Sequence, residues 1–218
     1  MAKTAARRPI AARNLALSQA TAKWLASRDV TPNAISVWGV IAATIAGLLL
    51  AATPRLGALA PLAWVAGAAL VQLRLLANMF DGMVAIESGK TSKLGELYNE
   101  VPDRIADTAV LLGLGYAAGG EPWLGYAAAL GAMFTAYVRT VGVTAGAEAQ
   151  FCGPMAKPHR MAMVIGTSLV CALAQLVGLP FMGLVGGYGL PALALAIVFL
   201  GSLVTAWRRL SRIASALR

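Results

Sequence analysis

Of the nine acidic residues in this chain, six fall between positions 81 and 107: Asp81, Glu87, Glu96, Glu100, Asp103 and Asp107. Carboxylates this dense either collect a hard cation through oxygen or take a proton from a substrate hydroxyl. At about 100° per residue on an α-helix, Glu96, Asn99, Glu100, Asp103 and Asp107 fall within an arc of roughly 100°. Upstream, Arg74, Asn78, Asp81 and Ala85 share one face through i, i+4 and i, i+3 spacing. Two adjacent antiparallel helices carrying these faces aim their polar groups at each other. A divalent cation would neutralise such a cluster, and an oxygen-rich, sulfur-free site suits Mg²⁺, Mn²⁺ or Ca²⁺. Direct pairing with Arg74 and Arg104 is the alternative, and it would fix helix register without metal. Gly82, Ala85, Gly89 and Gly95 lie among the acids. Their small size either admits a ligand to the backbone or lets helices pack closely.

The remainder of the chain sets this cluster in apolar surroundings. Of 218 residues, 59% are hydrophobic and 12% charged, and the mean hydropathy is +0.72. Soluble domains carry about 25% charged residues, so a water-soluble globule is excluded, as is a disordered chain. Two cysteines, Cys152 in a polar stretch and Cys171 in an apolar run, exclude a disulfide scaffold. Six apolar runs approach the roughly 20 residues that cross a bilayer: 35–53, 58–80, 97–118, 122–143, 160–180 and 184–207. Gly113, Gly115, Gly131, Gly166 and Gly201 suit close helix packing in lipid. The expected fold is all-α and integral to the membrane. It has six transmembrane helices over 35–218, preceded by a basic segment, 1–34, that contains an interfacial amphipathic helix. That helix is expected over residues 11–28, with Leu15, Ala22 and Leu25 on one face and Trp24 at headgroup depth; a solvated helix is the alternative. Thr31-Pro32-Asn33 then breaks it.

Charge orients the spans. Fourteen of the 18 Lys and Arg residues lie before the first span, in the 81–96 and 144–160 connections, or after the last span. Arg55 alone lies on the other side, and Arg74, Arg104 and Arg139 fall within spans. The positive-inside rule therefore predicts cytoplasmic termini and a cytoplasmic acidic cluster, in a bacterial-type inner membrane. The net charge of +9 faces an anionic leaflet, and no nucleic-acid partner is expected. A secretory signal peptide is not expected either, because the first apolar run starts only at about residue 35.

Residues 78–103 resemble the signature of the CDP-alcohol phosphotransferase family, D-x2-D-G-x2-A-R-x8-G-x3-D-x3-D. Here Asn78, Asp81, Gly82, Ala85, Ile86, Gly95, Asn99 and Asp103 stand at those spacings. Five of the eight keep the family's residue, while Asn78 and Asn99 replace aspartates and Ile86 replaces arginine. The family's six helices, cytoplasmic termini and leading amphipathic helix are similar to the topology read above. Thr31-Pro32-Asn33 resembles its entry to the first helix, and Tyr137-Val138-Arg139 a polar patch on its fourth.

The resemblance implies a transferase of phospholipid biosynthesis that moves a phosphatidyl-type group from a CDP-linked lipid, such as CDP-diacylglycerol, to a small alcohol with release of CMP. It implies one or two Mg²⁺ or Mn²⁺ ions on Asp81 and Asp103, with Asn78 and Asn99 as neutral ligands and Asp107 restoring charge. Asp103 or Asp107 is then the general base. Asn33, Gly82, Ala85 and Gly95 would border the nucleotide. Lys90, Lys93, Arg139, Lys157 and Arg160 would meet phosphate or headgroup. A homodimer is also implied. Two other readings stand beside this one: a family member that binds a nucleotide-lipid or partner enzyme without turnover, and an ion-coupled transporter using the acids as a relay.

Overall fold

The structure is a computed structural model and describes residues 11–89 and 93–218; the side chains of residues 11, 12, 93–96, 98 and 99 are outside that description. Its helices are α1 (Ala16–Ser27), α2 (Pro32–Ala52), α3 (Ala60–Glu87), α4 (Lys93–Gly115), α5 (Pro122–Thr144), α6 (Lys157–Leu176) and α7 (Leu190–Ala216). No strand forms among the described residues, and the β pairing they contain is an isolated bridge between Val185 and Tyr188.

Local sequence explains where these helices begin. α2, α3, α5, α6 and α7 each carry a proline in the first turn, at Pro32, Pro61, Pro122, Pro158 and Pro191. There the missing N–H is harmless and the fixed φ is already helical. Thr31 caps α2, its Oγ1 accepting the Ala34 N–H at 3.2 Å. Between α6 and α7 the chain turns on Gly178, Gly183, Gly186 and Gly187, all at positive φ, which delays α7 to Leu190 instead of the expected 184. At its other end α7 runs past the apolar segment, out to Ala216.

Four segments are long and apolar enough to cross a bilayer among the described residues: Pro32–Arg55, Gly57–Glu87, Lys157–Leu176 and Leu190–Ala216. Large side chains such as Trp38, Leu48, Leu62, Leu130, Leu173 and Trp207 face outward. Inside, Leu50, Trp64, Val71, Leu111, Leu114, Val164 and Leu195 form the core. Apolar surface on both sides of the helices suits lipid as the solvent. α1 buries Ser18 and Ala22, packs on α3, and leaves Leu15, Leu17 and Trp24 exposed.

From α2 to α7 the helices close a ring in the spatial order α2, α3, α6, α7, α5, α4. Here the structure differs in part from the expected pairing of the two acidic helices. Their backbones come close at few points among the described residues and α2 packs against both, yet Arg74 and Asn78 of α3 reach Asp103 of α4. The reason is the small-residue surface of α2, which buries Gly39, Ala42, Ala43, Ala46 and Gly47. Gly47 meets α4 so closely that a Cβ there would collide with the Ala109 carbonyl, and a Cβ at Gly113 would collide with Gly47. Gly115, Gly131 and Gly201 also lie at close approaches, whereas a Cβ at Gly166 meets nothing within 4 Å, so Gly166 is not a packing glycine.

Gly113→Ala is expected to destabilise the detergent-purified protein by about 1–3 kcal/mol through overpacking of the α2–α4 crossing. Gly166→Ala should stay within about 1 kcal/mol of the parent. Thermal unfolding followed by circular dichroism separates the two, and equal losses would refute the crossing.

Candidate functional site

Three helices bring their charged faces together at one end of the ring. α3 presents Arg74, Asn78 and Asp81, about one turn apart, and α4 presents Asp103 and Asp107 at i, i+4. α6 begins with Lys157 and Arg160 at i, i+3. The connection between α3 and α4 and the start of α6 share this end, so the N-terminal turn of α6 meets the acids.

Asp103 is the hub. Its Oδ1 accepts from Arg74 Nη2, from Asn78 Nδ2 at 3.0 Å, and from Lys157 Nζ at 2.7 Å. Lys157 Nζ also lies 3.4 Å from Asn78 Oδ1 and 3.9 Å from Asp107 Oδ1. Asp107 Oδ2 is held by Arg160 Nη2 at 2.9 Å. Arg160 Nη1 in turn donates to the Met155 carbonyl at 2.8 Å and to Thr135 Oγ1 at 3.4 Å. Asp81 Oδ2 accepts from Ser36 Oγ on α2 at 2.7 Å, while its Oδ1 is buried with no hydrogen-bond partner among the described residues. Arg74 and Arg160 are each 2% exposed and Asp107 3%. Three buried carboxylates, Asp81, Asp103 and Asp107, are thus balanced in number by Arg74, Lys157 and Arg160. Burial of a charge demands such compensation, because an isolated ion loses its hydration.

A second ion-pair group lies nearer the surface, where Glu100 joins Arg104 and Arg139. Arg139 lies over the Phe151 ring at 5.4 Å, which ties this group to the connection between α5 and α6. That connection is strapped down by Arg209 on α7, whose Nε donates to the Cys152 carbonyl at 3.0 Å and whose Nη1 donates to the Thr135 carbonyl at 2.6 Å. Thr205 Oγ1 accepts the Met155 N–H at 2.9 Å. Sequence reasoning missed Ser36, Thr135, Thr205 and Arg209. Arg209 had a signal, since it continues the buried i, i+3/i+4 stripe of Ser202, Thr205, Ala206 and Ile213.

The other expected site residues are placed as follows. Asn33 is exposed at the start of α2, and Gly82 and Ala85 are half-buried on α3. A Cβ built at Gly82 would lie 3.7 Å from Arg13 Nη2, so the N-terminal segment reaches this face. Lys90 lies outside the described residues, as do the side chains of Lys93 and Asn99, and Gly95 falls in the first turn of α4. His159, in the first turn of α6, is exposed.

The described side chains do not fit one or two divalent ions. No group of three His, Cys, Asp or Glu residues converges among them. Asp103 Oδ1 is taken by Arg74, Asn78 and Lys157 and Asp107 Oδ2 by Arg160, and Lys157 also stands 3.9 Å from Asp107 Oδ1. Both carboxylates thus already face fixed cations, while Asp81 Oδ1 has no hydrogen-bond partner among the described residues. Hard cations take six or more oxygens, including several carboxylates or waters.

Comparison with known proteins places this arrangement. A family model described as CDP-alcohol phosphatidyltransferase matches residues 29–207. A phosphatidylinositol phosphate synthase of Streptomyces avermitilis is 30% identical over 194 residues, which is 86% of this chain and 74% of that protein. An archaetidylinositol phosphate synthase of Aeropyrum pernix is 33% identical over 119 residues, 52% of this chain and 61% of that protein. The crystal structure of Mycobacterium tuberculosis phosphatidylinositol phosphate synthase with CDP-DAG bound superimposes with a TM-score of 0.71 at 20% identity, covering 91% of this chain and 94% of that one. The same mycobacterial protein has been solved in complex with manganese and citrate, and that structure has a TM-score of 0.70 to this chain.

Because Asp107 is buried against Arg160, Arg160→Met is expected to destabilise the protein by about 3–5 kcal/mol by stranding the carboxylate. Glu100→Gln, at a pair whose carboxylate is 43% exposed, should cost about 1 kcal/mol or less. Thermal midpoints of the two variants check this, and the reverse order would refute the buried pairing.

Proposed function

The chain belongs to the CDP-alcohol phosphatidyltransferase family, and from that premise we propose that it moves a phosphatidyl-type group from a CDP-linked lipid to the hydroxyl of a small alcohol, releasing CMP. The observation that carries this reading is the convergence of Asp81, Asp103 and Asp107 with Lys157 and Arg160 at one end of the helical ring.

In this reading the alcohol oxygen attacks the lipid-bearing phosphorus. A new P–O bond forms, the bond from that phosphorus to the bridging oxygen breaks, and CMP leaves with the electron pair. The hydroxyl proton passes to Asp103, or to Asp107 one turn further on. Lys157 and Arg160 face charge that builds on phosphate oxygens, a task in which fixed cations already in place are most effective. Arg139, with Lys90 and Lys93 by their place in the sequence, extends the positive surface toward the acceptor. Asn33, Gly82, Ala85 and Gly95 border the nucleotide.

All six long helices cross the bilayer in this proposal, with residues 1–34 lying along the surface and residues 35–218 forming the membrane domain. The termini and the site face the cytoplasm of a bacterial-type inner membrane. Two copies associate, as the family resemblance implies. The positive-inside asymmetry supports the orientation.

A second reading, binding of a nucleotide-lipid or partner enzyme without turnover, is favoured by one observation. Asn78 gives its amide to Asp103 at 3.0 Å, where the family's signature has a carboxylate.

Purified protein incubated with CDP-diacylglycerol and a panel of alcohols, among them inositol phosphate, glycerol phosphate and serine, should release CMP with one of them. Asp103→Asn should lower that rate by about 100-fold or more. It also leaves Arg74 and Lys157 short of a counter-ion, at a cost of about 3–5 kcal/mol, so the rates are compared below the lowered unfolding midpoint, where circular dichroism shows the variant folded. Binding of CDP-diacylglycerol without CMP release from any acceptor would establish the second reading in place of the first.

A further inference from the structure

We propose that Arg74 and Lys157 take the place of the divalent cation in this chain, so that its site holds an anionic pyrophosphate ligand without metal. The ligand class rests on the reading of the site as one for a CDP-linked lipid. The exclusion of metal rests on the side chains themselves.

Three independent features point the same way. The signature positions Asn78 and Asn99 hold amides, which removes two negative charges from the set that the family uses. Arg74, one turn before Asn78 on the same face of α3, then adds a positive charge at the hub, where its Nη2 is bonded to Asp103. Room for the guanidinium is built in across the helix interface. Gly39 on α2 faces it, and a Cβ at that position would come within 3.2 Å of both Arg74 Cδ and Nη1.

Lys157 completes the substitution. Its ammonium spans Asp103 at 2.7 Å and Asp107 at 3.9 Å, joining two carboxylates as a bridging cation would. With Arg160 on Asp107, the three buried acids are already neutralised in number. Among the described residues the site therefore carries no surplus negative charge, and a divalent ion would enter it beside three fixed cations, Arg74, Lys157 and Arg160. An anion meets the opposite situation. Arg74 Nε and Nη1 and Arg160 Nε are buried donors without partners among the described residues, and buried donors gain most from an acceptor.

The test uses the full chain purified in detergent and stripped with EDTA. Mn²⁺ is titrated and followed by electron paramagnetic resonance, and CDP-diacylglycerol binding is measured in parallel in EDTA and in Mn²⁺. The expected result is an undiminished free Mn²⁺ signal with the parent protein, and equal nucleotide-lipid binding in the two buffers. The triple variant Arg74→Leu/Asn78→Asp/Asn99→Asp should bind Mn²⁺ about tenfold or more tightly than the parent.

Stoichiometric loss of the Mn²⁺ signal with the parent overturns the proposal, as does nucleotide-lipid binding that requires Mn²⁺. It is equally overturned if the triple variant elutes as a folded protein and binds no more Mn²⁺ than the parent. Should the triple variant fail to fold, the titration of the parent still decides. Absence of CDP-diacylglycerol binding in both buffers defeats the functional reading alone, because the Mn²⁺ result stands without it.

Discussion

A buried carboxylate needs compensation, and in this fold the cations that meet Asp103 and Asp107 come from other helices, while Asp81 takes a hydroxyl from Ser36 on α2. Asp103 and Asp107 on α4 are met by Arg74 from α3 and by Lys157 and Arg160 from α6. These three helices are not successive neighbours in the ring, so the ion pairs act across its interior. Apolar contacts between membrane helices distinguish poorly between alternative rotations, since lipid is as apolar as the helix surface. Charged contacts distinguish sharply, because a wrong rotation leaves an ion without a counter-ion. The network therefore fixes how α3, α4 and α6 are turned about their axes, whatever chemistry it also performs.

Close approach is what lets those contacts form. α2 lies between the two acid-bearing helices, and it does so on glycine and alanine. With larger residues at Gly39 and Gly47, α2 would hold α3 and α4 further from each other and from the interior. Gly39 also faces the Arg74 guanidinium directly. The polar hub and the small-residue surface are thus one device. The surface sets the spacing, and the charges use it. At the far end of the ring the chemistry changes, and a cavity of about 620 Å³ is bordered by Pro54, Ala118, Leu179, Phe181 and Met182. Among the described residues, the ionisable groups that meet in the interior lie at the other end.

Much of this was legible in the residues. Periodicity placed Arg74, Asn78 and Asp81 on one face and Asp103 and Asp107 on another, and i, i+4 geometry makes such placement dependable. Apolar runs marked the six long helices to within a few residues, apart from the ends of α3 and α7. The order of helices in space was not legible, because residue spacing within a helix carries no information about which helix comes between two others. Charge type misled as well. Arg160 and Arg209 lie in stretches where arginine ordinarily flanks a span, and by type they match Arg208 and Arg212. The structure buries Arg160 and Arg209 and leaves Arg208 and Arg212 exposed. Gly166 fails for the converse reason, since a glycine in an apolar run looks the same whether a helix or lipid lies opposite.

The burial of Arg160 bears on how structure and chemistry share the site. Its guanidinium serves Asp107, the Met155 carbonyl and Thr135 at once, and Arg209 holds the same α5–α6 connection from α7. An anion reaching this end of the ring therefore meets cations that are already employed. It gains their charge without displacing the backbone only through donors left over, namely Arg74 Nε and Nη1 and Arg160 Nε. Any ligand that takes more than these must loosen a contact that holds α4 or α6 in place. Lys157, bound by its ammonium alone and 13% exposed in its side chain, is the member of the network that can exchange an aspartate for an incoming phosphate with the least disturbance. Exchange there would leave Asp103 Oδ1 held by Arg74 and Asn78, so that α3 and α4 stay joined while Lys157 turns to the ligand.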